Sequence, residues 1–306
     1  MNTEHQFISR STIIQRYSIR LMHDSRLVEK LYSGAIIEDF GFPLSKSELE
    51  ILKNVDQRRW LIDSERSHRA LEALLSQSAV SAWAFLDLRK TSLEEFEAGD
   101  WLLSFFHSHN FHGCIMNRGY LIDAFFAWMS TELEAFNPEH QLSNYKNHVR
   151  DLINLERSIA RTKRAVRPKI ELSSPSFSLQ DSLLLPPWLT LIKLSSGLST
   201  SYLNIHQAVQ DFRNSGGVAA LLNQEFPREL LPTIVDNEWV LIELDWGNKI
   251  SVEALSEGLA EVLLLAQDQS PVSSLRALLI EAEVDPPEVD DMIHDWVTEG
   301  LILIKS

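Results

Sequence analysis

The chain has 306 residues, 44% hydrophobic and 23% charged, an ordinary globular balance with room for two cores. No run of 18 apolar residues occurs, which excludes a membrane-spanning helix, and the single cysteine, Cys114, excludes an internal disulfide framework. The net charge of −15 is uneven: residues 1–168 hold 22 acids and 21 bases, whereas 169–306 hold 21 acids and 7 bases. The acidic half repels phosphate backbones and favours basic or neutral partners. No apolar signal segment follows the polar stretch Met1–Phe7, so a cytoplasmic location is expected.

The first half reads as helices. Ile13, Ile14, Tyr17, Leu21, Leu27, Val28 and Leu31 recur at helical spacing over residues 11–32. After the breaker Asp39–Pro43, Ser45 stands three residues before Glu48, a capping box that starts a new helix. A further helix is predicted from Gln57 to Leu75, with Trp60, Leu61, Leu71 and Leu74 on one face. Thr91 and Glu94 repeat the capping box ahead of a helix through Leu102 to Phe106. A His-rich turn follows, then an apolar core helix over Tyr120–Phe136 and a last helix over Ser143–Ala165.

Beyond Ala165 the texture changes to Ser and Pro, which predicts a linker over 173–187 between a helical domain, 1–172, and a second domain, 188–306. Leu189–Leu194 and Trp239–Leu244 read as strands, with a tight turn at Gly247-Asn248. Three short helices are predicted next, over Val252–Ala266, from Ser270-Pro271, and from Asp285-Pro286 to a left-handed cap at Gly300. Leu301–Ile304 closes as a strand. The predicted class is α+β and mostly helical, a helical domain followed by a winged-helix-like peptide-recognition domain.

A winged helix usually presents a basic helix to DNA. Here residues 251–306 hold 12 acids against Arg276 and Lys305, and the third helix offers Glu288, Asp290, Asp291, Asp295 and Glu299 with no base. Nucleic acid is therefore excluded as a partner, which leaves protein or peptide recognition. The ligand-type residues concentrate in His107, His109, His112 and Cys114, and a loop that converged them would suit zinc or iron. The plainer reading is a polar turn with Cys114 as a small apolar residue. Phosphate-binding loops, Gly-x-Ser-x-Gly elbows and His-Glu-x-x-His pairs are missing, so no catalytic residue, cofactor or metal site is assigned. Arg157, Arg161 and Arg164 share one helix face, suited to an acidic partner or to the acidic half of the chain itself.

Leu44-Ser45-x-x-Glu48-x-x-x-Leu52, followed by Asp56, Trp60, Asp63, Arg66, Arg69, Leu71 and Leu74, and later by Asp151-Leu152 and Leu155-Glu156-Arg157, forms a recognisable series. It resembles the accessory subunits of multinuclear non-heme iron oxidases in ribosomal peptide natural product biosynthesis, those of the 3-thiaglutamate pathway among them. A departure is Ala79-Val80, where such subunits often carry a proline after the second helix. The resemblance implies a non-catalytic subunit that binds a precursor leader peptide and presents its cysteine to the partner oxidase, which holds the iron. On this reading the peptide adds to an edge strand over Trp239–Leu244, with Val240, Ile242, Leu244, Val289, Ile293 and Trp296 lining the groove.

Overall fold

Ser9 opens the first helix by accepting the backbone N–H of Thr12, and α1 runs over Arg10–His23. It is identified in a computed structural model that describes residues 9–63, 65–91, 96–137, 142–168, 177–222, 224–233 and 236–305, without the side chains of 212–222. Asp24 ends α1 and caps α2, Ser25–Ser33, through the N–H of Arg26 at 2.9 Å, so the stretch predicted as one helical pattern is two helices. The capping box of Ser45 and Glu48 is present at the start of α3, Lys46–Lys53. Arg10 pairs with the same Glu48, and that guanidinium, with the Ser45 contacts, holds its carboxyl at about 2.

The helix expected over 57–75 is interrupted. It forms α4, Gln57–Trp60, and α5, Arg66–Leu75, and the exposed Leu61 and Ile62 lie between them. Next comes α6, Ala79–Lys90, of which Ala79–Leu86 and Leu88 are buried. Glu94 of the second expected capping box lies outside the described residues. Beyond it are α7, Ala98–Leu103, a 3-10 turn at Ser104–His107, α8, His109–Asn117, α9, Leu121–Ala135, and α10, Ser143–Thr162. Residues 173–176 of the expected linker also lie outside the described residues, and Ser182–Leu184 within it is a strand, β1.

The remaining elements are β2, Leu189–Ser195; α11, Leu198–Leu222; β3, Asn237–Leu244; β4, Ile250–Leu255; α12, Glu257–Gln267; α13, Val272–Glu281; α14, Pro286–Glu299; and β5, Leu303–Lys305. The chain is thus α+β and mostly helical, with fourteen α-helices among the described residues. Two antiparallel sheets form, one of β1 and β5 and one in the order β2-β3-β4. Gly300 caps α14 in the left-handed region at φ 77°, as expected from its position after the last apolar residue of that helix.

Two compact units result, and neither is one continuous stretch: 1–153 with 208–226, and 154–207 with 227–306. This replaces the single boundary expected at 173–187. In the first unit, Ile13, Tyr17, Leu21, Leu27, Val28 and Leu31 pack with Leu52, Trp60 and Met116. In the second, Leu189, Leu191 and Leu241 of the sheet pack with Val262 and Leu263 of α12, Leu275 and Leu279 of α13, and Val289 and Ile293 of α14. Among the described residues no helix is long and apolar enough to cross a membrane.

The first unit also holds a half-buried titrating ring. His23 stacks on Phe106 with centroids 5.2 Å apart, and burial, with a smaller contribution from Arg66, pushes its pKa down to about 4. The unfolded ring titrates near ~6.5, so between about pH 6.5 and 4 the unfolded chain binds the extra proton. Stability supplied by the neutral ring is therefore present above pH 6.5 and lost as pH falls toward 4. Urea midpoints followed across that window are expected to fall in the native chain and to fall less in His23→Gln. Parallel curves would show that other groups set the acid limit.

Candidate functional site

The expected edge strand is the centre of its sheet. β3 pairs with β2 from Leu189↔Glu243 to Ser195↔Asn237, and with β4 from Trp239↔Leu255 to Leu244↔Ile250. Its backbone groups are committed on both sides, so no peptide strand can add to Trp239–Leu244. Nor do the six expected groove residues line a groove. Val240, Ile242, Val289 and Ile293 are fully buried, Leu244 is nearly so, and Trp296 is half-buried against the same core.

The reason lies in the strand's two faces. Leu241 projects with Leu189 and Leu191 into the core under α12, α13 and α14. Val240 and Ile242 project with Thr190 and Ile192 to the other face, where the Thr190 hydroxyl meets that of Thr162 on α10 at 2.7 Å. A sheet covered on both faces needs apolar residues at consecutive positions, which is what Val240-Leu241-Ile242 supplies.

The edges of this sheet are β2 and β4, and β4 is the one that follows β3 along the chain. β4 has β3 as its one sheet neighbour, and on its outer side residues 250–255 make no backbone hydrogen bond among the described residues. Glu253 and Ala254 are exposed there. The helix expected from Val252 begins only at Glu257, after Ser256, whose hydroxyl accepts the N–H of Leu259 at 3.5 Å. Val252–Leu255 belong to the strand instead.

The histidine cluster is helical rather than a turn. Ser108 caps α8 by accepting the N–H of Phe111 at 3.2 Å, and the imidazoles divide between two carboxylates, His109 at Glu38 and His107 and His112 at Asp24. His109 is exposed beside Glu38 at 3.1 Å, and His107 lies 3.6 Å from Asp24. His112 is buried and uses both nitrogens: Arg20 Nε–H donates to its Nδ1 at 3.1 Å, so its Nε2–H donates to Asp24 Oδ2 at 2.8 Å. Neither nitrogen is left for a proton transfer or a metal. Burial, with Asp123 nearby, pushes the Cys114 thiol up to about 11, so its thiolate is scarce at neutral pH. Among the described residues no group of three or more His, Cys, Asp or Glu is placed to hold a metal ion.

Arg20 completes this buried network. It also donates to the Glu38 carbonyl at 3.0 Å, and its guanidinium lies over the rings of Tyr17 and Phe40 at 4.9 and 5.1 Å. Arg20 and Asp24 stand one helical turn apart at the end of α1, but nothing in the spacing joins them to His112, which the crossing of α1 and α8 brings in. Of the basic strip near the end of α10, Arg161 is exposed and Arg157 and Arg164 are half-buried, while the neighbouring Arg167 is buried in the second unit. No protein-family model matches this chain, and no curated protein sequence matches it.

Proposed function

We propose that the chain is a non-catalytic accessory subunit that binds the leader of a ribosomal precursor peptide and presents its cysteine to a partner multinuclear non-heme iron oxidase. In this reading β1, α12, α13, α14 and β5 form a winged-helix-like module, and the leader adds as a strand beside β4. The observation that carries the peptide-binding part is the open edge of Ile250–Leu255. An unpaired edge is a liability in isolation, and a peptide strand satisfies its N–H and C=O groups while side chains give specificity. The acids of α14, Glu288, Asp290, Asp291, Asp295 and Glu299, count against nucleic acid as the ligand of the same module. The committed nitrogens of His112, and His109 standing apart beside Glu38, support a reading in which the redox chemistry belongs to the partner.

The test is recovery of the tagged chain from its native host, followed by mass spectrometry and hydrogen exchange on the recovered complex. An iron-dependent oxidase and a short peptide are expected, with amides of 250–255 slowed relative to the isolated chain. Recovery without either partner would remove the accessory-subunit reading. A bound peptide that leaves 250–255 unchanged would remove β4 as its site.

A further inference from the structure

A second interaction surface lies on the two helices that follow β4, and it stands whether or not the leader-peptide reading does. At about 100° per residue, one stripe of α12 carries Ala260, Val262, Leu263 and Ala266 into the core. The opposite stripe carries Glu261, Leu264 and Leu265. On α13 the inner stripe is Val272, Leu275 and Leu279, and the outer one includes Ala277, Leu278 and Glu281. The two outer stripes wall an open groove of about 770 Å³. Its apolar floor is Leu264, Leu265 and Leu278, each only partly buried, and its rim holds the exposed carboxylates of Glu261 and Glu281.

The charge of this rim is not neutralised from within. Arg276 is the one base on either helix, and it is paired with Asp290 of α14 at 3.3 Å. Among the described residues neither Glu261 nor Glu281 has an ion pair. An apolar partner alone would cover the leucines and strip water from two carboxylates without compensation, which costs free energy. A partner bearing Lys or Arg beside its apolar residues meets both requirements.

The walls also select the partner's conformation. In the middle of a helix the backbone N–H and C=O groups are bonded within it, so neither wall offers a ladder to an extended strand. Recognition there runs through side chains, which suits an amphipathic helix with apolar anchors at i, i+3 or i+4, and i+7. We infer that the α12–α13 groove docks a basic amphipathic helix of a protein partner, with its apolar stripe on Leu264, Leu265 and Leu278 and its Lys or Arg side chains on Glu261 and Glu281.

Two fluorescein-labelled model helices of equal length test this with the full chain. Both carry Leu at helical spacing; one has Lys and the other Glu at every polar position. By anisotropy the Lys helix is expected to bind saturably, at least about tenfold more tightly than the Glu helix, and to slow amide exchange in α12 and α13. Glu261→Lys with Glu281→Lys, both exposed and without consequence for the core, should weaken it about tenfold; Leu278→Asp should do the same with an unchanged circular dichroism spectrum. Binding that ignores the Glu→Lys pair, equal binding of both helices, or no binding of either overturns the inference, the last of these being the result if the chain covers the groove itself.

Discussion

Asp24→Ala is expected to lower the stability of the first unit by roughly 2–4 kcal/mol, from the lost helix cap together with a buried hydrogen bond to a charged acceptor. Asp24 is 4% exposed and serves three neighbours: it caps α2 at Arg26, accepts Nε2–H of His112, and lies beside His107. Alanine ends all three contacts and leaves Arg20, 1% exposed, with Glu38 as the carboxylate still acting on its buried charge. The cap by itself accounts for only about 1 kcal/mol. Asp24→Asn separates the two contributions, since its amide oxygen keeps the cap and the shape while the charge goes. Urea unfolding followed by hydrogen exchange in α1 and α8 reports on the first unit directly. A loss no larger than the cap alone would mean that Arg20 is satisfied by the Glu38 carbonyl and the two ring faces without help from Asp24.

Arg167→Ala is expected to have a similar effect on the second unit, roughly 3–5 kcal/mol. The guanidinium side chain is 4% exposed, and it pairs with Glu243 and donates to two carbonyls, Leu244 O and Glu299 O, each at 3.1 Å. It thereby ties the end of β3 to the end of α14. It also lies 4.1 Å from the centroid of the Trp246 ring and 5.8 Å from that of Trp188. The variant leaves one carboxylate and two carbonyls without their donor and uncovers an indole, so a change in tryptophan emission should accompany the lowered urea midpoint. Arg167→Lys keeps a charge but not the planar fork, and should recover less than half of the loss. Full recovery by lysine would reduce the role of Arg167 to that of a point charge.

Elements with a strong periodic stripe or a cap were legible in the sequence: α3 through its capping box, α9 through its apolar density, α14 through Asp285-Pro286 and Gly300, and β2 and β3 through their apolar runs. Those without either were not. α6 is apolar on every side, so Ala79–Leu86 shows no period at all, and burial all round is what that composition means. α11 contains Gly216-Gly217, a pair of low helix propensity, yet its helix continues through them. α8 begins at Ser108, but its third helical residue is Phe111 rather than an acid, and without a capping box the His-rich stretch resembled a turn.

The site suffered from a different blind spot. Whether a strand is central or at an edge is a tertiary fact, and the run Trp239–Leu244 alone reads as an edge. Three consecutive buried apolar residues already argued for cover on both faces. β4 was hidden because Val252 and Leu255 fall in step with the apolar positions of α12 and merged into its pattern. The groove on α12 and α13 was legible in part: Leu264-Leu265 exceed what one inner stripe needs.

The pairing of β1 with β5 sets a timetable for synthesis. Ser182 meets Lys305, so β1 leaves the ribosome about 120 residues ahead of its partner, a wait of roughly 6–24 s at ordinary translation rates. β2 waits in the same way for β3, and the first unit for 208–226. Each unit therefore closes around chain made well after its opening segment, and the apolar run of β2 spends that interval unpaired. A slow, late-closing folding reaction, with a period in which chaperones can bind, follows from the order of the strands alone.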